Sequence, residues 1–158
     1  DVTACCRFAA LNRKALAMTL CRAMKWKIEG EVDTPHNFVA DGILRKGAVS
    51  AKDGEIFSLP LNMKEGILLC KGRGNPAWNY SAPHGAGRLF SRQEAKNRFT
   101  LTEFKKEMQG IYSPSVSRAT IDECPMAYKK SEAVLNYLPQ TADILLQLIP
   151  LFNYKESE

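Results

Sequence analysis

Apolar residues recur at three- and four-residue steps through Ala4, Phe8, Leu11, Ala15 and Met18, and this period predicts a helix over residues 3 to 26, closed off by Gly30. Between 37 and 72 the pattern changes to short apolar runs separated by the pairs Asp41-Gly42 and Asp53-Gly54. Glycine, and to a lesser degree aspartate, tolerates the positive φ that hairpin turns need, so these runs predict a meander of short strands at 38 to 40, 43 to 45, 56 to 59 and 67 to 70. Residues 72 to 87 are rich in Gly, Pro, Asn and Ser and show neither period. They read as a long loop, a class that is usually functional when ordered. Beyond it, Ser91 precedes Glu94 by three and Thr100 precedes Glu103 by three. These capping-box spacings predict short helices at about 92 to 98 and 101 to 109, with a third after Ser131. The last apolar stretch, 144 to 154, suits a strand or a helix equally. With no repeat, low-complexity segment or linker, the expectation is a single α+β domain over residues 1 to 158.

Composition adds constraints to this outline. The 45% hydrophobic and 25% charged content is that of an ordinary soluble globular chain, and 158 residues suffice for one core. No apolar run approaches the ~18 to 20 residues of a bilayer span. The densest, 144 to 152, is interrupted by Gln147 and Pro150. The opening acid and the early Arg7, Arg13 and Lys14 do not resemble a signal peptide, so the expected location is cytoplasmic with no membrane partner. A net charge of +5 favours polyanionic partners such as RNA or nucleotide phosphates. The five cysteines are odd in number and lack C-x-x-C spacing, which argues for reduced thiols rather than a disulfide framework or zinc knuckle.

The candidate chemistry lies with two histidines, at 36 and 84. His84 sits in Pro83-His84-Gly85-Ala86-Gly87-Arg88, where small residues leave the backbone open to the close approach of phosphate oxygens. Arg88 would add a planar, permanently charged donor fork for the same oxygens. A neutral imidazole is a competent nucleophile towards phosphorus. A glycine-rich turn with an incidental histidine has the same composition, and this stretch alone leaves both readings open. His36, in Thr34-Pro35-His36-Asn37-Phe38, suits either a metal ligand with Asn37 as a hydrogen-bonding neighbour or a satisfied structural residue. One histidine is not a metal site, and the carboxylates and cysteines form no spaced cluster around it.

The string Gly74-Asn75-Pro76-Ala77-Trp78-Asn79-Tyr80-Ser81-Ala82-Pro83-His84-Gly85-Ala86-Gly87-Arg88 resembles the signature loop of the RtcB-type RNA-splicing ligases. Four further stretches resemble that family in the same order: 34 to 38, Arg45-Lys46-Gly47-Ala48, Pro60-Leu61-Asn62-Met63 and Glu123-Cys124-Pro125-Met126-Ala127-Tyr128-Lys129. Phe152-Asn153-Tyr154-Lys155 resembles the family's lysine-bearing carboxyl terminus, and Arg7-Phe8-Ala9-Ala10-Leu11-Asn12-Arg13 its central helix.

This resemblance implies an RtcB-like fold with a short-strand meander, a mixed sheet and flanking helices, incomplete relative to the family. It implies a GTP- and Mn2+-dependent ligase that joins RNA 3′-phosphate or 2′,3′-cyclic phosphate ends to 5′-hydroxyl ends through a GMP-histidine intermediate. RNA, as tRNA halves or broken RNA, would be the partner, and an archease-like helper a further one. His84 matches the guanylylated histidine. His36 matches a manganese ligand and Asn37 a GMP contact. Pro60, Leu61, Asn62 and Met63 match a loop at the nucleotide, and Gly85, Ala86 and Gly87 the backbone around the GMP phosphate and ribose. Tyr128 matches an aromatic packed on guanine, Lys155 a terminal lysine contacting the base, and Arg88 and Arg92 arginines near phosphates. Two departures accompany the match. Ile67 stands where a small polar residue usually follows the methionine by four, and the amino-terminal part that supplies the family's other manganese ligands is missing. The chain thus reads as a carboxyl-terminal part, either the nucleotide-binding portion of a ligase or a non-catalytic RNA- or nucleotide-binding remnant. A structural fragment that folds only against its missing half would show an unpaired apolar face on the first helix or the meander.

Overall fold

A computed structural model describes residues 2–155 of the protein. The helical period of the opening segment forms α1 (Val2–Met24), which ends where Lys25 adopts a positive φ. None of its residues is buried, and Phe8 and Leu11 remain 72% and 66% exposed. The helix lies near the first strand and is tied down by Arg13, which donates from Nε and Nη2 to the Asp33 carboxylate at 2.6 and 2.9 Å. This is the unpaired apolar helix face that an incomplete fold would present.

The Asp41-Gly42 turn, with both residues at positive φ, joins β1 (Asn37–Ala40) to β2 (Ile43–Lys46) as expected. A second hairpin pairs β4 (Ile56–Pro60) with β5 (Ile67–Gly72). The meander is broken between them. Residues Ala48–Ser50 form β3, which pairs not with β4 but with β6 (Ser81–Pro83), inside the stretch expected to be loop. Asp53-Gly54 does form a turn, closed by the Glu55 amide on the Lys52 carbonyl at 3.0 Å, but the β3 and β4 strands it joins do not pair as a hairpin. The terminal apolar run becomes β7 (Ala142–Leu148), antiparallel to β5 in the order β4-β5-β7. All named strand pairs are antiparallel. The parallel component of the expected mixed sheet is one isolated bridge between Tyr112 and Phe152.

Both capping boxes form. Ser91 starts α2 (Arg92–Arg98) and Thr100 starts α3 (Leu101–Glu107), each with reciprocal side-chain and backbone bonds to the glutamate three residues on. A short α4 (Ser131–Leu135) follows. The overall class is α+β.

Apolar burial falls into two clusters. One gathers Val49, Phe57, Leu59, Leu61 and Leu138 around the sheets. The other gathers Met63, Ala95, Phe104, Cys124 and Ala127 beneath α2 and α3. The β4–β5 turn bridges them, with Leu61 in the first and Met63 in the second. All five cysteines are free, and burial pushes the Cys70 thiol up to about 11. Among the described residues no helix is long and apolar enough to cross a membrane.

Candidate functional site

A cavity of about 650 Å³ opens where the β4–β5 turn, the 84–88 loop, Tyr128 and the chain's last described residues meet. That size suits a nucleotide-scale ligand. Its lining includes most of the residues singled out in the sequence: Pro60, Leu61, Asn62 and Met63 on one side, His84 through Arg88 on another, and Tyr128 and Lys155 on a third. Arg92, His36 and Asn37 do not line it.

His84 follows β6 and is placed by the β2–β3 corner. Its Nδ1 lies 2.6 Å from the Gly47 carbonyl oxygen. A carbonyl only accepts, so Nδ1 carries the proton, and in the neutral ring the Nε2 lone pair remains available. Gly47 has φ +67°, and a Cβ there would sit 3.5 Å from the His84 ring. Its own amide is fixed by the His36 carbonyl at 3.0 Å and the Asn37 Oδ1 at 3.1 Å. Asn37 therefore acts on the histidine through Gly47. Arg45, almost wholly buried, completes the corner. It donates to the Ser81 hydroxyl at 2.9 Å and faces the Phe38 ring at 5.4 Å, joining β1 and β2 to the loop that carries His84.

The glycine-rich stretch after His84 is less open than its composition implied. The Ala86 amide donates to the Pro60 carbonyl at 3.2 Å. Gly85 lies so close to the same oxygen that an added Cβ would meet it at 2.7 Å. Only glycine allows this approach, which sews the loop to the end of β4. Gly87, half-buried and at φ +71°, has open space beside its Cα, which leaves room for a close approach to its backbone. The Asn62 carboxamide oxygen accepts from the amides of Lys64 and Glu65, both at 2.9 Å, and so closes the β4–β5 turn. Leu61 and Met63 are buried in the two cores and shape the pocket from beneath. Ile67, the departure from the family pattern, also lines the pocket and gives an apolar patch.

A short antiparallel contact holds Tyr128 beside the loop. Leu89 N donates to Ala127 O and Lys129 N to Gly87 O, with a bridge between Arg88 and Tyr128. The Arg88 guanidinium stacks over the Tyr128 ring at 5.2 Å and donates to the Asp122 carbonyl and to Glu123. Arg88 thus lines the pocket with its guanidinium engaged by Tyr128, Asp122 and Glu123. Arg92 pairs with Asp122 at 2.7 Å and Glu123 at 3.0 Å, outside the cavity. The Tyr128 hydroxyl donates to Glu123 Oε2 at 2.7 Å. Burial, reinforced by the Glu123 carboxylate, pushes the Tyr128 phenol up to about 12. Burial also works to raise the Glu123 carboxyl, but the Tyr128 hydroxyl, Lys155, Arg92 and Arg88 outweigh it and hold that group below the usual carboxylate range.

Lys155 reaches the pocket on a pinned tail. The Ser115 hydroxyl accepts from the Lys155 amide at 2.7 Å and donates to its carbonyl at 3.0 Å. Asn153 donates from Nδ2 to the Met63 carbonyl at 2.8 Å. The apolar run before it does not anchor the tail by burial, since Ile144, Leu148 and Phe152 remain about half exposed. Backbone pairing and these polar clamps anchor it instead.

Metal ligation does not assemble among the described residues. His36 and His84 approach with ring centroids 5.2 Å apart. Among the described residues no three His, Cys, Asp or Glu side chains form a metal-binding group. The donor set for a divalent manganese is therefore not met by these residues alone. Sequence reasoning assigned no role to Gly47, Ser115, Asp122 or Glu123. Two of the four, Gly47 and Glu123, lie within the motifs it had already picked out.

The chain is 29% identical over 160 residues to the RNA-splicing ligases RtcB and RtcB1 of Escherichia coli, covering 89% of this chain and 39% of each relative. It is 38% identical over 86 residues to the tRNA-splicing ligase RtcB of Aeropyrum pernix, covering 51% of this chain and 18% of that protein. The chain thus spans well under half the length of these relatives. Residues 1–156 match the family described as tRNA-splicing ligase RtcB, and the chain belongs to the RtcB family.

Proposed function

We propose that the cavity is a guanine-nucleotide site and that this chain is the nucleotide-binding, carboxyl-terminal part of a single RtcB-like catalytic domain, an RNA ligase acting through a GMP-histidine intermediate. The observation that carries this reading is the His84 ring, anchored by Nδ1 on the Gly47 carbonyl at the edge of a pocket that Tyr128 and Lys155 also line. The Nε2 lone pair would attack the α-phosphorus of GTP. The P–N bond forms as the bond to the β-phosphate oxygen breaks, and pyrophosphate leaves. The proton stays on Nδ1, donated to the Gly47 carbonyl, so GMP takes the place of the lone pair on Nε2. An oxygen of the RNA 3′-phosphate would then displace His84 from that phosphorus, giving an activated RNA end. Attack by the 5′-hydroxyl on the RNA phosphorus would close the strand and release GMP, with the hydroxyl proton lost to solvent. Tyr128 offers a flat face to the purine, and Lys155 a donor suited to the O6 and N7 acceptors of guanine. The +5 net charge supports RNA, as tRNA halves or broken strands, as the partner.

Manganese enters this reading only with ligands from outside the chain, His36 being the imidazole offered here; an archease-like helper and a cytoplasmic setting belong to the same proposal. The test is incubation with labelled GTP and Mn2+, with and without the remaining part of a family chain, followed by peptide mapping. Base-stable, acid-labile label should appear on His84 and vanish in His84→Ala. Label persisting in that variant would overturn the assignment. The lack of a three-donor group among the described residues favours a second reading for the chain by itself, a nucleotide- or RNA-binding remnant. GTP binding without covalent label, even with the missing part added, would establish that alternative.

A further inference from the structure

The four cationic and phenolic groups assigned to nucleotide or phosphate, namely Arg88, Arg92, Tyr128 and Lys155, converge on one carboxylate that does not itself line the cavity. Glu123 is 14% exposed and divides its oxygens between two tasks. Oε2 accepts from the Tyr128 hydroxyl at 2.7 Å and lies 3.6 Å from the Lys155 ammonium. Oε1 faces Arg88 at 3.3 Å and Arg92 at 3.0 Å. The base-facing pair thus shares one anchor with the arginines. We propose that Glu123 is a positioning residue for guanine selection, holding Tyr128 and Lys155 in the relative geometry that lets one ring and one ammonium read a single purine.

The physical case is that neither group is fixed by its own element. Lys155 has its backbone clamped by Ser115, but a four-carbon side chain sweeps a wide arc unless its end is held. Tyr128 precedes a polar segment, and its ring is sandwiched between Arg88 and the cavity. A largely buried carboxylate, hydrogen-bonded to Tyr128 and ion-paired with Lys155, restricts that freedom before a ligand arrives, which is what preorganisation requires. The 3.6 Å separation to Lys155 is an ion pair rather than a close hydrogen bond, and it leaves ammonium protons for the ligand. Asp122, buried beside it, pairs with Arg92 and Lys96, so Arg92 is shared between the two carboxylates and meets Glu123 only at Oε1, away from the base-facing pair.

This inference rests on the guanine-nucleotide reading, and its test separates the two. In the 158-residue chain, Glu123→Gln keeps the side-chain shape and can still accept from Tyr128, but it loses the charge that holds Lys155. Competitive binding of GTP and ATP should show the preference for GTP falling about tenfold in Glu123→Gln. In a Lys155→Ala background the same substitution should cause no further fall, because it acts through that lysine. A nucleotide-independent readout is nitration by tetranitromethane at pH 8, resolved by peptide mass spectrometry. Loss of the carboxylate should speed nitration at Tyr128 severalfold, leave the exposed Tyr112 and Tyr137 unchanged, and leave the buried Cys124 thiol protected. Unchanged Tyr128 nitration, equal losses for both nucleotides, or additive losses in the double variant would each overturn the positioning role. A wild-type chain with no preference for GTP would overturn the guanine reading itself, and the selection role with it.

Discussion

At the scale of single residues, the proposed site is a set of side chains held by groups that do not themselves line the cavity. His84 depends on the carbonyl of Gly47, Tyr128 and Lys155 on Glu123, and the Lys155 backbone on Ser115. Glu123 has a measurable signature. Its carboxyl is held below the ordinary range in the folded protein, so the unfolded chain binds the extra proton first as pH falls. Its stabilising contribution is therefore complete above the unfolded carboxylate value of about 4.3 and is lost as pH falls through the lower folded value. Denaturant melts of wild type and Glu123→Gln between about pH 3 and 6 should converge at the acid end, with a shallower slope in the variant. Parallel slopes would show that Glu123 is not coupled to its four partners. The histidine was legible in the sequence because its neighbours are conspicuous, a run of small residues ending in arginine. Glu123 was not, because its role comes from four residues spread from 88 to 155, and no local spacing records that convergence.

Among the elements, those written in short-range chemistry were legible and those written in long-range pairing were not. The Asp41-Gly42 hairpin and the two capping boxes are local devices, and all three formed where the residues placed them. Strands β3 and β6 are three residues each, and they exist only because residues 48 and 83 meet across the fold. No period of two can be read over three positions. The ambiguity of β7 has a different origin. After Ala142 both of its faces are exposed, so its apolar residues do not alternate with polar ones. The caps also give a direct energetic test. Ser91→Ala and Thr100→Ala should each cost about 1 kcal/mol in thermal or denaturant stability, because each unpairs the backbone amide of Glu94 or Glu103. Ser91→Gly should cost distinctly less, since glycine suits the cap backbone. A loss of the same size in both Ser91 substitutions would mean that the backbone preference of the cap contributes little beside the hydroxyl bond.

For the whole molecule, two features follow from a chain that covers 39% of its relatives' length. One is the uncovered α1. The other is His36, proposed as a metal ligand, with no three-donor group around it among the described residues. Because His36 stands apart from any three-donor group among the described residues, titration of the chain with Mn2+ should show weak, non-stoichiometric uptake, and His36→Ala should leave the isotherm unchanged. Tight one-to-one binding would place a donor set within this chain after all. The pairing of β5 with β7 bears on how the molecule is made. Ile67 lies opposite Leu148 and Gly72 opposite Ala142, so the third strand of the sheet is synthesised long after the first two. During translation the β4–β5 hairpin emerges with one edge of unpaired backbone groups, and that edge waits for partners far along the chain. Nascent chains held or broken before residue 142 would carry a template for pairing with one another, so the strand that closes one side of the cavity also guards the growing polypeptide against aggregation.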